Sequence, residues 1–108
     1  RDNFKFKKKF FVKLLPLDII LIKEKINKNT ILKIDCEGGE LDVLKGAVKT
    51  LKKVNYVIIE LRLQKIQTYN PSDIINFLYK NKFKWQQVLK VYYAKEAIDY
   101  MDILFIKK

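Results

Sequence analysis

Between residues 41 and 54 the apolar positions recur as Leu41, Leu44, Val48 and Leu51, with Ala47 and Val54 alongside. Steps of three and four place them on one stripe, which predicts a single helix with one buried side. On either side of it the pattern changes. Residues 31–35 (ILKID) and 56–61 (YVIIEL) are short and apolar on both faces, as strands buried in a parallel sheet are. Residues 5–15 (KFKKKFFVKLL) set aromatic and β-branched residues between charged ones, a strand pattern that Pro16 ends. Residues 17–26 (LDIILIKEKI) read as a short helix or turn segment, closed by NKNT. In NPSD, Asn70 can cap a helix, Pro71 suits its first turn and Asp73 faces the positive end of its dipole. Ile74, Ile75 and Leu78 give that helix an apolar side. Two strand-like runs, 85–94 and 100–106, close the chain as a hairpin joined by KEAID.

The order is thus strand, helix, strand, helix, strand, helix, strand, strand. Alternation with apolar strands predicts an α/β fold, mostly parallel, with an antiparallel hairpin closing one edge. A chain of 108 residues carries one such unit.

Composition adds little that is specific. The net charge is +11, almost all of it from lysine, since Arg1 and Arg62 are the only arginines. A basic chain invites a nucleic-acid partner. The lysines, however, are scattered along the whole chain apart from Lys7-Lys8-Lys9, and the residue best suited to reading bases and phosphates is nearly absent. Nucleic-acid binding is therefore not expected. Cys36 is the only cysteine, which rules out an intrachain disulfide and suits a reducing, cytoplasmic setting. No apolar run approaches the ~20 residues of a membrane span.

The chemistry gathers at residues 31–47, ILKIDCEGGELDVLKGA. If the strand continues through residue 37, Asp35 and Glu37 project the same way. Glu40 falls in the first turn of the following helix, and Glu60 ends the next strand. Ligands of open parallel sheets bind beyond the carboxyl ends of the strands, where these groups lie. The same residues also suit an ordinary turn. Gly38 and Gly39 permit a sharp reversal, and acidic groups favour a helix N-terminus. Cys36 is expected to pack as a small apolar residue, with no histidine in the chain to activate it. Any metal would have to be a hard cation held by oxygen.

Residues 32–47, LKIDCEGGELDVLKGA, resemble the signature of the FkbM family of S-adenosylmethionine-dependent methyltransferases, commonly L-K-I-D-x-E-G-x-E-x-x-V-L-x-G-A. Leu32, Lys33, Ile34, Asp35, Glu37, Gly38, Glu40, Leu44, Gly46 and Ala47 match, and Val43-Leu44 stands at the V-L pair. PLDIIL is similar to the family's T-L-D-D-L segment, with Asp18 at its first aspartate. YVIIEL, DIINFLYKNKFKW and MDILFIKK resemble later elements, so the likeness runs from about residue 12 onward. Gly39 stands where alanine is usual.

The resemblance implies the C-terminal part of a Rossmann-like methyltransferase sheet. The family's glycine-rich cofactor turn lies upstream, and Gly38, Gly39 and Gly46 form no G-x-G pattern. Residues 1–108 are then expected to be a single unit, the C-terminal half of the enzyme, with S-adenosylmethionine held mainly by the missing half. Within this half, Asp35 and Gly38 are the cofactor-side candidates. Asp35, Glu37, Glu40 and Glu60 are the catalytic ones, in that order, and an oxygen-bound Mg2+ among them is conceivable. The expected acceptor is a hydroxyl of a sugar or other small metabolite. The rival expectation is a relic or a basic interaction module that keeps the fold without the activity.

Overall fold

The computed structural model describes residues 14–64 and 68–108. The expected strand at 5–15 lies almost wholly outside them. Four strands form one sheet in the order β1-β2-β4-β3: β1 is Ile31–Ile34, β2 Tyr56–Arg62, β3 Phe83–Ala94 and β4 Ala97–Lys107. The helices are α1 (Leu17–Ile20), α2 (Glu40–Lys45), α3 (Val48–Lys53) and α4 (Pro71–Lys80).

The element order matches the expectation for the described residues, but the sheet is mixed rather than mostly parallel. β1 and β2 run parallel, while β2–β4 and β4–β3 are antiparallel. The cause is topological. A parallel pair needs a crossover, and α2–α3 supply one between β1 and β2. After β2, the α4 crossover sets β3 one strand further out, and a tight turn returns β4 into the gap. That turn is only Lys95-Glu96, not the expected five residues, because Lys95 adopts a left-handed φ of 60°. β4 consequently begins at Ala97 rather than Tyr100, and β3 is longer at its other end, starting at Phe83.

Side-chain alternation divides the sheet. Val57, Ile59 and Leu61 of β2, with Ile103 and Phe105 of β4, are buried in one cluster with Leu44, Leu51, Ile74 and Leu78 of the helices. Each such side chain contributes roughly 1.5–3 kcal/mol by leaving water. The alternate positions, Tyr56, Ile58, Glu60 and Arg62, share the other face with Tyr100, Asp102 and Leu104, their cross-strand partners. α4 begins as expected: the Asn70 N–H donates to the Asp73 carboxylate at 2.9 Å.

The single helix expected over 41–54 is two. The break is at Gly46-Ala47, and it turns Val48 outward to 36% exposure. Pro16 packs against the break. A Cβ built on Gly46 would sit 3.1 Å from Pro16 Cβ and 3.2 Å from its Cα, tighter than an ordinary contact, so glycine suits the close passage of the Pro16–Leu17 segment. The same segment caps the second helix. Ala47, at the N-cap position of α3, has no side-chain acceptor to offer, and Asp18 provides one from across the groove. Its carboxylate accepts the Lys49 N–H at 2.8 Å, the Thr50 N–H at 2.8 Å and the Thr50 hydroxyl at 2.7 Å.

Partial burial pushes the Asp18 pKa up, but the Thr50 hydroxyl and the two N–H groups outweigh it and hold the carboxyl below its ordinary 3.8. A lowered pKa means that its contribution is fully present above 3.8 and is lost as pH falls through the folded value. Asp18→Ala is expected to cost about 1–2 kcal/mol at neutral pH, in the range of lost N-caps. Urea unfolding at neutral and strongly acid pH checks this. The parent and variant curves converge in acid, and a gap that persisted there would show that the carboxylate is not the cap.

Candidate active site

β1 and β2 end side by side because they are parallel, with Ile34 opposite Ile59. One residue further along, that register brings Asp35 level with Glu60. Asp35, Glu40 and Glu60 each place a carboxylate oxygen within 4.8 Å of the other two. Three of the four expected carboxylates therefore meet at the carboxyl rim of the parallel pair. Glu37 does not join them. The strand stops at Ile34 and Glu37 takes a left-handed φ of 44°, which turns its side chain out to 82% exposure. The expectation that Asp35 and Glu37 project together from one strand is thus corrected.

The loop between β1 and α2 is tied from beneath. Glu40, fully buried, accepts the Cys36 N–H at 2.8 Å and the Gly38 N–H at 2.9 Å, one on each oxygen. The Tyr69 hydroxyl donates to the same carboxylate at 3.1 Å, and the Thr68 hydroxyl to the Gly38 carbonyl at 2.7 Å. Burial, and then the neighbouring Glu40 charge, push the Tyr69 phenol up to about 12. Gly38 has a φ of 106°, a conformation that a side chain would strain. Gly39 is different: a Cβ there would meet Cys36 Cβ at 3.4 Å, an ordinary contact, consistent with alanine being usual at this position. Cys36 is exposed in the loop rather than packed as a small apolar residue, because β1 ends two positions before it. Partial shielding of the thiol, and then the Glu40 charge, raise its pKa, so it is no thiolate nucleophile at neutral pH.

Glu60 is 5% exposed and carries the strongest perturbation among these carboxylates. Burial first, and then the charge of Asp35, push its pKa up to about 7, with Arg62 pulling the other way. Arg62 was not anticipated as a site residue. β2 runs one residue beyond the apolar YVIIEL, and Arg62, two positions after Glu60, lies on the same face. Its Nε is 3.2 Å from Glu60 Oε2, and its Nη2 is 3.8 Å from Glu37 Oε1. The Nε contact is an ion pair out of hydrogen-bond alignment. Glu60 Oε2 and Arg62 Nε both stay buried without a hydrogen-bond partner among the described residues. A buried carboxylate held by one misaligned ion pair beside two further carboxylates is costly, and such costs are usual where chemistry is done.

Mg2+ fits this arrangement poorly. Glu40 already accepts three hydrogen bonds, and the guanidinium of Arg62 stands on Glu60. Those two facts leave Asp35 as the one uncommitted ligand of the trio, and no metal step is derived. Among the described residues no helix is long and apolar enough to cross a membrane.

No solved structure matches the chain. The chain is 32% identical over 71 residues to the hexuronic acid methyltransferase AglP of Haloferax volcanii, an alignment covering 66% of this chain and 28% of that protein. The family profile described as the methyltransferase FkbM domain matches residues 4–85, about three quarters of the sequence, and the chain belongs to that family.

Proposed function

We propose that the chain forms the proton-accepting side of an S-adenosylmethionine-dependent O-methyltransferase whose acceptor is a sugar hydroxyl, with glycans bearing hexuronic acid the favoured class. The observation that carries this reading is the meeting of Asp35 and Glu60 at the carboxyl rim, with Glu60 Oε2 buried and free of hydrogen bonds. Family membership supports the choice of donor, and the AglP likeness supports a sugar acceptor.

S-adenosylmethionine, when bound, supplies an electrophilic methyl group on a sulfonium. Glu60 would take the proton of the acceptor hydroxyl as the hydroxyl oxygen bonds to the methyl carbon, which S-adenosylmethionine would supply with its sulfur keeping the electron pair of the broken bond. A base titrating near 7 suits that task, since it is half ionised at working pH and still strong enough to draw the proton. Asp35, exposed at the end of β1, faces the donor's methionine end or the acceptor, and the Gly38 turn lets the backbone come close. Glu40 holds the loop that carries both.

Calorimetric titration of S-adenosylmethionine into the chain, beside a longer protein that adds a glycine-rich cofactor segment upstream, tests the assignment. Binding by the longer protein alone is expected. Binding by neither would leave a methyltransferase-like unit without the activity.

A further inference from the structure

The hairpin of β3 and β4 reaches past the family match, which ends at residue 85, and carries an arrangement of its own. Tyr92 and Tyr100 are cross-strand partners and their rings stack, with centroids 4.2 Å apart and planes 19° from parallel. The Arg62 guanidinium carbon lies 4.7 Å from the Tyr100 centroid, and Lys90 Nζ lies 4.8 Å from that of Tyr92. Arg62 is opposite Tyr100 across the β2–β4 ladder, so the four side chains form one row on the face that holds Glu60.

An arginine side chain has four rotatable bonds and, when exposed, gains little from one ion pair. Resting flat on an aromatic ring removes much of that freedom, and a second ring behind the first fixes the first in turn. We propose that Tyr100, backed by Tyr92, is a positioning residue: it holds Arg62 with Nε on Glu60, and thereby keeps Glu60 ionised often enough to act as the base. The functional part of this rests on the reading of Glu60 given above, whereas the positioning itself does not.

Glu60 is faced by Asp35 from the end of β1, Glu40 from α2, and Asp102 and Tyr100 from β4. Asp35 and Glu40 raise its pKa, and Arg62 lowers it. Loosening Arg62 therefore moves the Glu60 titration to higher pH. A cation within 4–6 Å lowers a carboxylate by ~1–3 units, so partial loss of that effect is a rise of about one unit, or about fivefold less carboxylate at neutral pH.

The test is a carboxyl-carbon NMR titration of the chain labelled with 13C-glutamate, with the Glu60 resonance identified by its disappearance in Glu60→Gln. Tyr100→Leu is expected to raise the midpoint by about one unit, Tyr92→Leu by less in the same direction, and Tyr100→Phe to leave it in place. Arg62→Met sets the upper bound. The proposal is overturned if Arg62→Met moves the midpoint and Tyr100→Leu does not, or if Tyr100→Phe moves it as far as Tyr100→Leu. The readout needs no turnover. A protein that failed to transfer methyl groups yet gave the expected series would lose the proposed function and keep the positioning.

Discussion

Under the proposed function, Glu60→Gln in a protein that joins this chain to a cofactor-binding segment is expected to lower kcat/KM by ~10²–10⁴, the usual worth of a positioned general base, and to erase the acidic limb of its pH profile. The parent's limb should fall near 7, with the rate rising as Glu60 loses its proton and levelling off above. The same raised pKa acts oppositely on stability. The folded state holds the proton more tightly than the unfolded chain, so Glu60's contribution is full below its ordinary 4.5 and declines as pH rises through about 7. Glu60→Gln keeps the shape and removes the charge. It should therefore leave the fold at least as stable at alkaline pH, while the rate collapses. A variant with the parent's rate and limb would remove Glu60 from the chemistry.

Glu40→Gln should do the reverse. An amide offers one acceptor where the carboxylate offers two, so either Cys36 N–H or Gly38 N–H loses its partner in a partly buried place. Hydrogen bonds to a charged group are worth ~1.5–3 kcal/mol, and an orphaned buried N–H costs a similar amount, so a loss of about 2–4 kcal/mol is expected in denaturant unfolding. The Tyr69 phenol supplies an independent readout. It stands at about 12 partly because of the Glu40 charge, and spectrophotometric titration of the variant should find it lower. A variant as stable as the parent, with turnover abolished, would move Glu40 from the loop's framework into the reaction.

Periodicity carried the helices and strands well because the chain obeys it wherever an element meets the core. It failed at Gly46, where no local property of 41–54 reports that Pro16 passes within van der Waals reach and that Asp18 caps the second half. That information lies in a contact across about thirty residues. The mostly parallel sheet came out mixed for a related reason: the antiparallel hairpin was legible, but not that its second strand rather than its first lies beside β2. At the site, Asp35, Glu40 and Glu60 were legible from the signature and from the rule that ligands meet at carboxyl ends. Arg62 had a weak signal, as the residue two positions after a strand-ending glutamate. Thr68 and Tyr69 had none, since their roles come from a loop folding over Gly38 and Glu40. Glu37 matches the signature, yet its left-handed backbone removes it from the cluster.

In the proposed reaction this rim accepts a proton from a sugar hydroxyl during methyl transfer. It is tested with S-adenosylmethionine labelled in its methyl group, a glycan bearing hexuronic acid, and a protein joining this chain to a cofactor-binding segment with either Glu60 or Glu60→Gln, followed by mild alkali. Label is expected in the glycan that survives alkali, as an ether does, and that is nearly lost in the variant. No transfer, undiminished transfer by Glu60→Gln, or label released by alkali as from a carboxylate ester, whose formation needs no base, would contradict it.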